Sequence, residues 1–482
     1  MNNKFLQLVF LLLFISCSKN ESSAEQEEVN PPISYTINFE TGTTENILDI
    51  IVEEGKTATR PSDPEKQCMV FTGWYLDEEL TKEFDFTSSI NENLDLYAGY
   101  EQNLNPKDKA ELIEIINCGT DLGLIDTSLI TDMSELFKNV NTFNGSVENW
   151  DVSNVIDMSF MFEQSDFNQN IGNWDVSNVI NMKAMFRNSK IFNQDISNWN
   201  VSMVSNMWSM FADAEVFNQN IGLWNVSNVE DMSQMFRSAK LFNHQIGNWD
   251  VSKVTTTAYM FLGASNFNQD INGWDVSNVT NMTEMFAGAR AFNQNINSWD
   301  VSNVIDMSDM FNTAELFNGD ISNWDVSNVT NMTSMFSSAE SFNQDIGDWD
   351  VSNVTNMYQM FSRARNFNQD IGRWNVENVT SMRGMFFFAD SFNQDLSEWN
   401  VSSLTICDWM FRSAISFNQD ISDWDMSNVT NLEKMFYQAE SFNQSGIKVW
   451  NIQEEANISQ SLTGSDLPLT FRFDNRPDES PF

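Results

Sequence analysis

Apolar positions in this chain recur with a period of 25 residues from Ile125 to about Val449. The unit reads W-D-V-S-N-V-T-N-M-x-x-M-F-x-x-A-x-x-F-N-Q-D-I-x-x and occurs thirteen times; Trp opens twelve copies, Trp150 to Trp424, and Ile125 opens the first. In the copy that begins at Trp274, Met282, Met285, Phe286 and Ala289 fall at i, i+3, i+4 and i+7, which predicts one stripe of an α-helix. Asn278 or Thr280 is placed to cap its start. Trp-Asp-Val alternates apolar and polar, and is the segment that best fits a short strand. Every copy carries a Phe-Asn pair, from Phe143-Asn144 to Phe442-Asn443. An amide at the same place in every copy predicts a ladder bonded to the backbone of the neighbouring turn, because buried polar groups must be paired. One copy alone buries too little to offset the cost of ordering it, so the copies must stack. The expected fold is an α/β repeat solenoid of about 13 coils over residues 125–449.

Ahead of the repeats the pattern changes. Residues 34–101 contain Tyr35–Phe39, Ile47–Val52, Met69–Tyr75, Phe84–Phe86 and Leu94–Tyr97, four or five short strands with a turn-rich gap at Arg60–Pro64. Residues 104–124 hold a capping helix, expected over 106–117, with Pro106 early and Leu112, Ile115 and Ile116 on one face. Residues 450–482 are expected to cap the other end, through Leu467–Phe473, and then to fray.

The first 16 residues carry Lys4 and an apolar run from Phe5 to Ile15, too short to span a bilayer comfortably but right for a signal-peptide core. Residues 17–33 read as an acidic, Ser-rich tether. The words Phe14-Ile15-Ser16-Cys17 resemble a bacterial lipoprotein signal, which implies cleavage before Cys17 and a lipid anchor on that residue. Acyl chains there would hold the protein at a membrane surface, probed by roughly 0.8 kcal/mol for each buried CH₂.

Charge narrows the choice of partner. The chain has 482 residues and a net charge of -43, from 68 acidic against 25 basic side chains, which argues against nucleic acid. His244 is the single histidine, in the Gln slot of F-N-Q, so histidine-based catalysis and His-rich metal sites have no material. Cys407 takes a core Met slot. The recurring acids are the main candidates for chemistry: Asp151, Asp175, Asp250, Asp275, Asp300, Asp325, Asp350 and Asp425 in one column, Asp195, Asp270, Asp320, Asp345, Asp370, Asp395 and Asp420 in another. Stacked carboxylates repel one another or recruit cations such as Ca²⁺. Asn200, Asn225, Asn170, Asn220 and Asn295 interrupt both columns, which favours a solvated acidic face. No pair is marked out for catalysis, so no catalytic residue, metal site or cofactor is expected. Trp208, Trp409 and Tyr358 depart from the repeat at outward positions and are the better candidates for ligand contact.

Two resemblances add to this reading. The words W-D-V-S-N-V-T-N-M, M-F and F-N-Q-D-I resemble the 25–26-residue mycoplasma-type surface repeat grouped with BspA-like leucine-rich-repeat proteins. That implies a leucine-rich-repeat-like solenoid on a cell surface. The words P-x-D-P, F-x-G-W-Y, F-D-F and L-x-L-Y-A resemble the Listeria–Bacteroides repeat of internalin-type proteins, which implies a β-grasp-like module. Together they lead to the expectation of a non-catalytic, lipid-anchored lipoprotein at the cell surface, in the outer membrane. It would recognise or adhere to a protein or glycan on host, matrix or neighbouring cells. The competing expectation is a structural or nutrient-capture lipoprotein that binds glycan or Ca²⁺ for a partner complex.

Overall fold

A computed structural model describes residues 30–482, and these form two units divided between Asn103 and Leu104. The signal segment and Cys17 lie outside the described residues.

The first unit is a four-stranded sheet. Its strands are β1 (Ser34–Glu40), β2 (Ile50–Glu53), β3 (Met69–Tyr75) and β4 (Leu94–Gln102), in the spatial order β2-β1-β4-β3. The central pair, β1 and β4, is parallel, and the two outer pairings are antiparallel. Alternation puts Ile37 and Phe39 of β1, Val52 of β2, Trp74 of β3 and Leu96 of β4 into one small core. Phe84–Phe86 is not a further strand; a hairpin instead brings Glu83 opposite Tyr75, and the Phe84 N–H bonds the Trp74 carbonyl at 2.7 Å.

The second unit opens with α1 (Lys109–Asn117), capped by the Asp108 carboxylate on the Glu111 N–H. Leu112 and Ile115 of α1 are buried in the same core as the repeats, and the Lys109 ammonium reaches Asp132 at 3.3 Å and Ser134 at 2.6 Å. The repeats follow as a regular stack. Their apolar columns are buried throughout: Trp299 is 3% exposed, and Met282, Met285, Phe286, Ala289, Phe292 and Ile296 are fully covered.

Inside each coil the structure corrects two expectations. The M-x-x-M-F-x-x-A segment is not helical. The Met285, Ala287 and Ala289 N–H groups close tight turns onto the carbonyls of Met282, Glu284 and Phe286. The alternate N–H groups, of Met282, Glu284, Phe286 and Gly288, bond instead to Asp306, Ser308, Met310 and Asn312 of the next coil at 2.7–3.1 Å. A helix would have spent all of these bonds within itself. The first and third of these turns carry a left-handed residue at their third position: Glu284 (φ 52°) and Gly288 (φ 67°) here, Asp309 and Thr313 in the next coil. The 3–4 spacing of apolar residues therefore comes from successive turns and not from a helix.

Nor is Trp-Asp-Val the strand. Asp300 Oδ1 accepts the Ser302 N–H at 3.1 Å and the Ser302 hydroxyl at 2.6 Å, which folds this segment into a turn. The parallel β-bridges fall seven residues past the Trp, at Thr256, Asn281, Asp306 and Asn331. That column runs from Asp132 to Asn457, one coil past the last consensus copy.

The expected amide ladder is present. Asn268 Oδ1 accepts the Asn293 N–H at 2.9 Å, Asn293 Oδ1 accepts the Asn318 N–H at 2.8 Å, and the series continues to Asn443. A second ladder was not foreseen: Asn278 donates to the Ser252 carbonyl, and Asn303 to that of Ser277, at 2.7 and 2.8 Å. The Trp that opens each coil donates its indole N–H to the coil before it, as Trp299 does to Ile271 at 3.0 Å. Three aromatic columns accompany these bonds, with Phe286–Phe311 centroids 5.6 Å apart, Phe292–Phe317 5.8 Å and Trp299–Trp324 6.3 Å.

The C-terminal segment does not fray. Phe473 stacks on Trp450 at 6.3 Å, and Arg476, 7% exposed, donates to the Ala456 carbonyl at 2.7 Å. The Leu462 N–H, which faces outward from the last coil, is taken by the Pro481 carbonyl.

The acidic columns are part of this frame. Asp320 Oδ1 accepts the Ser322 N–H, Asp306 accepts the Ser308 N–H, and Asn200 and Asn295 do the same for Ser202 and Asn297. Asp and Asn exchange freely because the turn asks only for a side-chain oxygen. The Ser302 hydroxyl and N–H hold the Asp300 carboxyl below the usual carboxylate range, and Asp175, Asp250, Asp350 and Asp425 are lowered in the same way. A carboxyl held lower in the folded chain adds stability above its unfolded value, and loses it as pH falls through the folded one.

Three measurements check this frame. Phe286→Ala in the middle of the array should cost roughly 3–5 kcal/mol and broaden or split the calorimetric transition, since each coil is held only by its neighbours. Asp300→Ala should cost about 1 kcal/mol at pH 7 and Asp300→Asn much less. The melting temperature of the parent should drop below about pH 4, and less steeply when several of these aspartates are replaced by Asn.

Candidate functional site

With the consensus residues committed to the frame, the variable positions carry what is particular to this chain. The spacers of M-x-x-M and of F-x-x-A stand in four columns on one face, the face whose backbone is bonded from coil to coil. Most of these positions hold Ser, Thr, Asn, Asp, Gln or Gly. Two groups of coils depart from that.

In the first, the Phe160 ring has the Lys138 ammonium 4.7 Å from its centroid, and Trp208 has that of Lys183 at 4.6 Å. The Arg187 guanidinium lies between both rings, at 5.7 and 5.5 Å. Glu163, its side chain 7% exposed, balances this cluster: it is ion-paired with Arg187 and lies 3.6 Å from Lys138.

The second group spans four consecutive coils near the C-terminal end. Arg363 lies over Phe388 at 5.3 Å and Phe387 at 5.6 Å. Arg383 lies over Trp409 at 5.1 Å and Tyr358 at 6.0 Å. Arg412 is shared among Trp409, Phe387 and Tyr437 at 5.0–5.3 Å. Arg383 pairs with the buried Asp408 at 3.0 Å, and burial keeps the Asp408 carboxyl above its ordinary range despite that arginine. Arg363 and Arg412 have no carboxylate within ion-pairing distance among the described residues. Phe388 and Trp409 stand in the left-handed columns at φ 54° and 59°, where bulky side chains are strained. The backbone projects them outward from the coil in spite of that cost.

The sequence-predicted contact residues are thus brought together in part. Tyr358 and Trp409 share one cluster, and Trp208 sits in the other; all three are half-buried under cations. Sequence reasoning missed the partners Phe160, Arg187, Arg363, Phe387 and Arg412. Their signal was available as aromatic and basic residues in slots that elsewhere hold small polar ones. The Trp column is buried and cannot serve as a sugar-stacking ladder. Its neighbour His244 uses Nε2 on the Asn218 carbonyl at 2.9 Å, the bond that Gln makes in other coils. Burial pushes the Cys407 thiol far up, so it is unreactive core. Among the described residues no three His, Cys, Asp or Glu side chains come together in a way that could hold a metal ion. No helix among them is long and apolar enough to cross a membrane.

Comparison with known proteins agrees with the division into two units. Residues 35–99 match the Listeria-Bacteroides repeat domain. Two proteins of Evansella cellulosilytica, one named as a Gly-rich membrane protein and one as a membrane protein, are each 41% identical over 70 residues. That stretch is 14% of this chain, and only 8% and 10% of those proteins' own lengths. Four successive matches, over residues 110–224, 215–318, 294–387 and 368–467, cover the stacked coils; on them the chain belongs to the family described as Mycoplasma protein of unknown function, DUF285.

Proposed function

We propose that this chain is a lipid-anchored bacterial surface protein whose solenoid serves as a non-catalytic recognition or adhesion surface. The observation that carries the reading is the pair Arg363 and Arg412. In a chain of net charge -43, these two guanidiniums lack acidic partners among the described residues and are held over Phe387, Phe388, Trp409 and Tyr437 on the one variable face. Rigid aromatic rings and arginines are what dominate the energetics of binding surfaces. The stacked arginines keep N–H groups for a partner's carboxylate, sulfate or carbonyl. The surrounding field repels polyanions, so a partner with local rather than uniform negative charge is favoured.

The resemblance of the repeat to BspA-like surface proteins supports the same reading. So does the lipoprotein-type sequence ending in Cys17, which would place the chain on a membrane surface, in the outer membrane of a Gram-negative cell. The acidic columns lend less support to the Ca²⁺-binding alternative, because each carboxylate already accepts hydrogen bonds within its own turn.

Two experiments test this. Immobilised matrix proteins and glycans, with and without chelator, should retain the full chain, and Arg363→Ala/Arg412→Ala should lower retention at least about tenfold at unchanged melting temperature. Undiminished retention would move the binding face elsewhere, and loss of retention on chelation would favour the cation reading. In cells, labelled palmitate should appear on the parent, and Cys17→Ala should lose both the label and membrane association.

A further inference from the structure

Shortly before its Trp, each coil from Asn170 to Asp420 makes a turn in which an Asp or Asn oxygen accepts the N–H two residues later, and ten coils do so. The exception has Gln245 in that slot. Its side chain is one methylene longer and does not close the turn, so the Gly247 N–H has no hydrogen-bond partner among the described residues. Asn220 and Asp270, which make the bond in the coils on either side, are exposed. The uncapped N–H is therefore directed at the surface, where a ligand can reach it.

Two cavities meet at this point. One, of about 400 Å³, lies among Asn220, Leu223 and His244; the other, of about 300 Å³, lies beside Gly247 and Asp270. Gln245 and Asn248 line both. Besides Gln245, two lining residues depart from what other coils carry: His244 stands in a Gln slot, and Leu223 in a slot that is polar or Gly from Asn173 to Asp423. Leu223, 89% exposed, is the most exposed large hydrophobic side chain among the described residues. His244 Nε2 donates to the Asn218 carbonyl at 2.9 Å, which leaves Nδ1 of the neutral ring as an acceptor. Exposed amides are ordinary on this surface. An open backbone donor, an imidazole acceptor and a bare apolar side chain around two joined cavities are not.

We propose that the joined cavities bind two linked units of a neutral saccharide, one of whose oxygens takes the Gly247 N–H that an Asp or Asn oxygen caps elsewhere. Its other hydroxyls meet His244 and the Gln245 and Asn248 amides, and an apolar ring edge lies on Leu223. A hydroxyl both donates and accepts, so it answers a wall that mixes an N–H, an imidazole acceptor and amides. Charge on the ligand is not needed, because Asn closes this turn as well as Asp does. The acid is also missing here from two successive coils, at Asn220 and Gln245, whereas that column is wholly acidic from Asp320 to Asp420. A carboxylate would meet Asp270 and the field of a chain of net charge -43. An extended peptide is a poorer fit, since it needs a row of backbone groups and a single N–H is left open. Each volume falls within the range of small-molecule sites, and the shared wall suits units joined to one another.

This site shares no residue with the Arg363 and Arg412 cluster, and the two readings can fail separately. The full chain is titrated calorimetrically with neutral hexose- and N-acetylhexosamine-terminated oligosaccharides, a uronic-acid oligosaccharide and an extended neutral peptide. A neutral saccharide should bind. Gln245→Asp, which restores the cap that other coils place on this N–H, should weaken it at least about tenfold. Because that change completes a turn, it should not lower the melting temperature, which separates a binding defect from misfolding. Leu223→Asn/His244→Gln, again residues that other coils carry, should also weaken binding about tenfold. Arg363→Ala/Arg412→Ala should leave it unchanged. The proposal is overturned if no neutral saccharide binds at about 10 mM, if Gln245→Asp binds as the parent does, or if the uronic acid or the peptide binds in its place.

Discussion

Every coil of this protein leaves a row of backbone N–H groups that it cannot satisfy alone. Met282, Glu284, Phe286 and Gly288 donate to carbonyls one coil further on, and the amide and indole ladders donate to the coil before. The obligation to pair those groups sets the period, the register and the direction of stacking. It also makes the ends the difficult places. At one end α1 covers the core and Lys109 reaches the open bridge column. At the other, an extra coil extends the stack and the Pro481 carbonyl takes up the Leu462 N–H.

What the sequence showed plainly was whatever depends on a side chain's identity in every copy. The Asn of the Phe-Asn pair was readable as a ladder because an amide repeated at one place has few other uses. The Trp, Met and Phe columns were readable as core for the same reason. What misled was spacing. Apolar residues at i, i+3, i+4 and i+7 fit a helix, yet Met282, Met285, Phe286 and Ala289 reach the core through consecutive turns. The clue lay between them, in spacers rich in Ser, Asn, Asp and Gly, residues that suit left-handed turn positions better than helix interiors. Asp300 was equally double-edged: alternation made it part of a strand, whereas its oxygen folds a turn.

The same obligation decides where individuality can reside. Core and ladder positions are fixed by neighbours on both sides, so a change there costs stability twice. The four outward columns carry no such duty, and it is there that Phe160, Trp208, Phe388 and Trp409 appear with their arginines and lysines. Trp208, Trp409 and Tyr358 were legible as departures from a consensus, as was His244, whereas the effect of Gln245 on the Gly247 N–H could be read only once the turn it fails to close was known.

The ladders have one more consequence. The bonds that join neighbouring coils are made largely by backbone groups or by residues common to nearly all copies, so each interface is chemically interchangeable with the next. Excising one whole coil, or inserting one, would bring together a donor row and an acceptor row that already match. Molecular length is therefore an adjustable quantity, set by copy number between two fixed end pieces. A lineage can alter it by recombination in steps of 25 residues, with no new packing problem to solve at the join.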